Sequence, residues 1–188
     1  MSLIEIFAVA GSLLYLLAAI LKRRICWIFG ALSNILYGVI CLQSALYAET
    51  VLQIIYMFLA VWGWFKWADS TFGEGAVYRS SRKILATQFL LTGLVSLGCG
   101  YLFERLSNAF MPYLDSAILC FSLLATRLTI ARKIENWMLW ILIDLAATYL
   151  YFVRELTLSS GLYLFYALLC MPGYFFWKRS LLKHESHS

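Results

Sequence analysis

The sequence predicts an all-helical membrane protein with seven transmembrane helices, and three observations carry that expectation. Residues of the set AVILMFWYC make up 63% of the chain and charged residues only 13%, against about 45–50% and about 25% in soluble domains. The mean hydropathy is +0.80 over 188 residues, which excludes a disordered chain, a fibrous repeat and an ordinary soluble enzyme domain. The apolar residues also gather into stretches of the length that crosses a bilayer, about 20 residues each.

Those stretches run, in order, over 3–21, 25–43, 47–66, 84–104, 111–131, 135–153 and 157–177. Each is expected to be helical, because a helix closes its own backbone hydrogen bonds where no water reaches. The first begins with Glu5 instead of a basic leader and has no small-residue cleavage pattern before Lys22, so it reads as a span and not a cleaved signal. The fifth and sixth each carry an acid, Asp115 near an end and Asp144 near the middle. The connections are short apart from 67–83, which is polar and contains glycine.

The positive charge is unevenly placed. Lys22, Arg23, Arg24, Lys66, Arg79, Arg82, Lys83, Arg127, Arg132, Lys133, Lys178, Arg179 and Lys183 fall on one side of these spans, and only Arg105 and Arg154 on the other. Cytoplasmic loops collect Lys and Arg, so the N-terminus is expected outside and the C-terminus in the cytoplasm. The same asymmetry accounts for the net charge of +5 and leaves no basic patch for nucleic acid.

Shifted by 110 residues, the chain matches itself without a gap. Trp27 meets Trp137, Tyr56 meets Tyr166, Gly63 meets Gly173 and Trp67 meets Trp177; Glu5 meets Asp115, Ser12 meets Ser122, and Asn34 meets Asp144. Two three-helix repeats are therefore expected, 1–67 and 107–188 with a short tail, joined by a loop and one linker helix over 68–106. A single linker span makes both triplets enter from the same side, giving a parallel 3+1+3 plan with a site expected near the midplane.

Steps of 3 and 4 define four polar and aromatic stripes. They are Trp27, Gly30, Asn34, Tyr37 and Cys41 on the second span; Gln53, Tyr56, Ala60, Gly63 and Trp67 on the third; Trp137, Trp140, Asp144, Ala147 and Tyr151 on the sixth; and Tyr163, Tyr166, Cys170, Gly173 and Trp177 on the seventh. Aromatic packing explains part of each stripe, and Trp67 and Trp177 read as interfacial belt residues. Asp144 needs more, since a carboxylate at the helix centre costs about 2.5–3.5 kcal/mol on insertion scales. A proton, a partner on another helix such as Asn34, or a cationic ligand caged by aromatic rings would each relieve it. Gly38, Gly63, Pro172 and Gly173 are candidate flexible or closely packed points.

Enzyme chemistry finds no foothold. The two histidines, His184 and His187, lie in the tail; the five cysteines sit unpaired in apolar segments; and no phosphate loop, nucleophile elbow or metal-spaced cluster occurs. No cofactor or metal is expected, and a solute facilitator fits better than an enzyme or a receptor.

The stretches WIFGALSNILYGVICLQSALYAETVLQIIYMFLAVWGWFKW (27–67) and ARKIENWMLWILIDLAATYLYFVRELTLSSGLYLFYALLCMPGYFFW (131–177) resemble the PnuC-type vitamin transporters. The shared features are the Trp and Gly that open the second span, Gln-x-x-Tyr followed by Gly-Trp-x-x-Trp in the third, and Arg-Lys-x-x-x-Trp-x-x-Trp leading into the sixth. The resemblance implies a SWEET-like 3+1+3 fold in a bacterial inner membrane and energy-independent uptake of a B vitamin. It also implies trapping by a cytoplasmic vitamin kinase, and a homotrimer. It carries Asn34, Gln53, Tyr56, Trp137, Trp140 and Asp144 over as binding positions; with Trp27, Tyr37, Tyr163 and Tyr166 from the stripes they form the expected substrate site. Asp144 stands where nicotinamide riboside carriers are expected to have Asn. An acid there suits the aminopyrimidine of thiamine, so thiamine (the PnuT branch) is the expected substrate, with nicotinamide riboside the alternative and riboflavin third.

Overall fold

A computed structural model describes residues 3–43, 47–68, 76–106 and 110–185. Of the polar 67–83 connection, residues 69–75 lie outside the described residues, as does His187. Among the described residues are seven helices: α1 (Leu3–Ile20), α2 (Cys26–Gln43), α3 (Tyr47–Ala68), α4 (Arg82–Leu106), α5 (Pro112–Ile130), α6 (Glu135–Val153) and α7 (Thr157–Glu185). All seven are long and apolar enough to cross a membrane. The last continues past the expected boundary at 177, because Lys178, Arg179 and Lys183 leave the apolar stretch while Leu181 keeps that end of the helix packed.

The chain divides into two compact units, Met1–Ala76 and Val77–Ser188. In the first, α1 packs on α2 and α2 on α3. Small residues close the α1–α2 seam. The hydroxyls of Ser12 and Ser33 share a 2.7 Å hydrogen bond, and that of Ser33 donates to the Ala8 carbonyl at 2.8 Å. In the second unit the packing runs α4 on α5, α5 on α6 and α6 on α7. Its core is the cluster Leu124, Ala125, Leu128, Leu139 and Ile143, against which Leu85 and Phe89 of α4 also pack.

Three helices end on the same device. Lys22, Arg132 and Glu155 take the left-handed conformation, at φ 57, 52 and 60 degrees. After each, the chain folds back in the Schellman pattern: Arg23 N–H donates to Ala18 O, Lys133 N–H to Leu128 O, and Leu156 N–H to Tyr151 O. Glycine is the usual residue there. Lys22 and Arg132 lie 110 residues apart, so the same tight turn ends α1 and α5.

Candidate functional site

Each unit has one tryptophan wedged between two helices. Trp27 of α2 lies over Gly63 of α3 and meets Trp67 edge-on, with centroids 5.4 Å apart at 89°. Trp137 of α6 lies over Gly173 of α7 and meets Trp177 at 5.4 Å and 84°. A Cβ on either glycine would fall inside the indole ring's contact shell, which is why the chain is bare at those two points. Trp27, Trp67, Trp137 and Trp177 are all buried. This corrects the expectation of Trp67 and Trp177 as belt residues: their rings close against a second indole within the same unit, not against the interface. The indole N–H groups of Trp27 and Trp137 are buried without a hydrogen-bond partner among the described residues. These two rings form packed knots.

The remaining residues of the first unit are more open. Asn34, Tyr37, Gln53 and Tyr56 are all half-buried. Gln53 rests against Gly38 across the α2–α3 seam, at 3.5 Å from where a Cβ would stand. Neither the Asn34 nor the Gln53 amide takes part in a hydrogen bond among the described residues. Among the described residues, the unit therefore carries two neutral amides on neighbouring helices without a hydrogen-bond partner.

The second unit differs at the matching positions. Asp144 is only 5% exposed, and the Cys170 thiol donates to its carboxylate at 3.8 Å across the α6–α7 seam. Trp140 shares a stripe with Asp144 in the sequence but turns to the other side. It packs on the α5–α6 core, and its indole N–H points at the Thr129 hydroxyl, 3.4 Å away. Tyr163 stacks on Tyr151 at 5.2 Å and 12°, and meets Tyr166 edge-on at 6.0 Å. These three half-buried rings make an aromatic platform on α6 and α7. Two features of this unit escape a reading of the sequence. Tyr151 ends the sixth-span stripe, so periodicity placed it there without marking it as a ring partner. Thr129 lies with Ser122 and Thr126 at steps of 4 and 3 on α5, a helix whose polar face the sequence reading passed over.

The family model "Nicotinamide mononucleotide transporter" matches residues 2–179. Two curated relatives, the nicotinamide riboside transporters PnuC of Escherichia coli (strain K12) and Shigella flexneri, are each 23% identical over 215 residues. Both alignments span the whole of this chain and 90% of the relative. The crystal structure of the vitamin B3 transporter PnuC matches the fold with a TM-score of 0.73 at 21% identity, covering 95% of this chain and 81% of that one. The matched proteins are transporters, not enzymes, and with seven spanning-length helices the chain is a multi-pass integral membrane protein. Thiamine finds no support in these matches. Asp144, the residue behind that expectation, lies buried in the α6–α7 seam beside Cys170. With the family match covering nearly the full length, the chain belongs to the nicotinamide mononucleotide transporter family.

Proposed function

We propose that this protein mediates facilitated diffusion of nicotinamide riboside across a bacterial inner membrane. The observation that carries the reading is the family match over residues 2–179, joined by full-length similarity to nicotinamide riboside transporters. The side chains suit that ligand. A primary carboxamide presents one donor edge and one acceptor edge, and the amides of Asn34 and Gln53 offer the complementary edges. That pairing needs no carboxylate, so a buried Asp144 is no obstacle.

In this reading the repeats are arranged 3+1+3, with 68–106 as loop and linker. The N-terminus is outside, and the Lys- and Arg-rich ends are cytoplasmic. Nothing couples movement to an energy source, so net flow follows the vitamin's own gradient, and removal of the internal vitamin, for example by phosphorylation, keeps that flow inward. Calorimetric titration of the detergent-purified protein with nicotinamide riboside, thiamine and riboflavin is the direct test. The riboside should bind tightest; thiamine heat without riboside heat would overturn the assignment. Uptake of riboside into sealed liposomes without ATP or an ion gradient tests facilitation. For topology, Phe110→Cys should react with an impermeant thiol reagent in intact cells and Ser81→Cys should not; the reverse pattern would invert the orientation.

A further inference from the structure

The last unit contains more than the last triplet. Immediately before α4, residues 77–80 lie along the α5–α6 turn like a short strap. Tyr78 N–H donates to Arg132 O, and Ile134 N–H donates back to Tyr78 O, both at 3.0 Å, which makes a one-residue parallel bridge opposite Lys133. Ser80 N–H donates to the Glu135 carboxylate at 2.9 Å, Lys133 Nζ to Arg79 O at 3.2 Å, and the Lys133 ammonium lies 5.6 Å from the Tyr78 ring centroid. Val77 is buried. The left-handed turn at Arg132 leaves the Arg132 carbonyl and the Ile134 N–H, two residues apart, facing the strap.

From the strap, α4 is fastened to α5 along its length. Leu85 and Phe89 enter the core, and the Phe89 ring lies 5.6 Å from that of Phe121. Further on, the side chains of Cys99 and Cys120 approach each other across the seam. At the far end Tyr113 lies close against Gly100, and its hydroxyl donates to Glu104 at 2.8 Å. A connector needs none of these contacts. A part that must keep its place needs all of them.

We propose that α4 is a fixed member of the second unit: the strap and the α4–α5 seam make Val77–Ser188 one rigid body that keeps its internal arrangement throughout transport. The functional meaning rests on the transport reading above; the rigidity does not, and it is tested separately. In the full-length protein with its native cysteines replaced, spin labels at Leu91 of α4 and Leu142 of α6, both exposed positions, report the α4–α6 distance by pulsed dipolar spectroscopy. One narrow distribution, identical with and without nicotinamide riboside, is expected; a second population or a shift overturns the proposal. Tyr78→Pro removes the N–H given to Arg132, and Glu135→Leu removes the acceptor for Ser80. Both should broaden that distribution, the first more, and an unchanged distribution in both would show that the strap is idle. Bridging Cys99 to Cys120 with mercuric ion, in a chain lacking Cys26, Cys41 and Cys170, should leave riboside uptake within about twofold, since the seam does not open in the gating step. Loss of uptake on bridging, restored by added thiol, overturns it. If the unbridged protein takes up no riboside, the transport reading fails, while the distance measurement still decides the rigidity.

Discussion

The mid-span residue of α2 is Asn34, half-buried with its amide outside any hydrogen bond among the described residues. Its counterpart 110 residues on is Asp144 of α6, buried and bonded to Cys170. Around both, the packing is nearly the same: a tryptophan over a glycine, a second tryptophan edge-on, a left-handed turn ending the preceding helix. The repeat is held where two helices touch and relaxed where a polar side chain needs a partner. Position 60, opposite in the first repeat to Cys170 in the second, is Ala60, so α3 has no thiol to seal the Asn34 position as α7 seals Asp144. The two units thus differ at these positions: half-buried amides in one, a closed seam and a tyrosine platform in the other.

The basic ends of the helices show a second difference. In the first unit, Arg24 ties the α1–α2 turn to α3: its guanidinium lies 3.6 Å from the Trp64 ring centroid and its Nε–H donates to the Trp64 carbonyl at 2.9 Å. The matching position in the second unit is Ile134, which has no charge to spend in this way and instead gives its backbone N–H to Tyr78 of the strap. One turn is clamped by a side chain, the other by a borrowed piece of main chain.

The largest effect should come from the shared knots. Gly63→Ala and Gly173→Ala each force a methyl group against an indole ring, and overpacking of this kind costs about 1–3 kcal/mol. Thermal unfolding in detergent should show comparable losses; a near-neutral result at one site would break the equivalence of the triplets. Next comes the site. Asn34→Leu and Gln53→Leu should each weaken riboside binding by about 0.5–1.5 kcal/mol, the worth of a neutral hydrogen bond. Asp144→Asn should leave the calorimetric affinity within about twofold, well under the 1.4 kcal/mol that a tenfold change represents. If Asp144→Asn instead weakens binding more than Asn34→Leu, the assignment of open and sealed positions is reversed.

Smaller effects sharpen the contrast between the clamps. Arg24→Met should lower stability by about 1 kcal/mol through the lost cation–π contact, read from the same unfolding curves, whereas Ile134→Met should do less, because the strap bonds its backbone. Smallest of all, Lys22→Gly should raise stability by up to about 1 kcal/mol by relieving the left-handed strain, offset in part by the greater freedom of the unfolded chain. A loss there would mean that the Lys22 side chain matters more than its φ angle.

Much of the fold was legible beforehand. Apolar length marks a bilayer-spanning helix because lipid cannot hydrogen-bond a bare backbone, so all seven spans were found, with errors confined to their ends. Periodicity gave the stripes, since residues at steps of 3 and 4 must share a helix face whatever surrounds them. The 110-residue offset came from matched residues alone, and the Trp–Gly–Trp packing recurs at that offset in both units. The site was less legible. Trp140 and Asp144 are four residues apart on one stripe, yet one turns to Thr129 on α5 and the other to Cys170 on α7.

What the sequence determined by itself, then, was local and additive: helix length, facial grouping, and the internal match. What only the tertiary structure decided was which neighbour each face meets. That choice made Trp67 and Trp177 core residues, closed Asp144 with a thiol, and docked residues 77–80 on a distant turn. The physical reason is that a helix face is fixed by covalent geometry, whereas its partner is fixed by packing between segments far apart in the chain. The strap's bridge is made of backbone N–H and carbonyl groups, which every residue but proline carries and no side-chain pattern can announce.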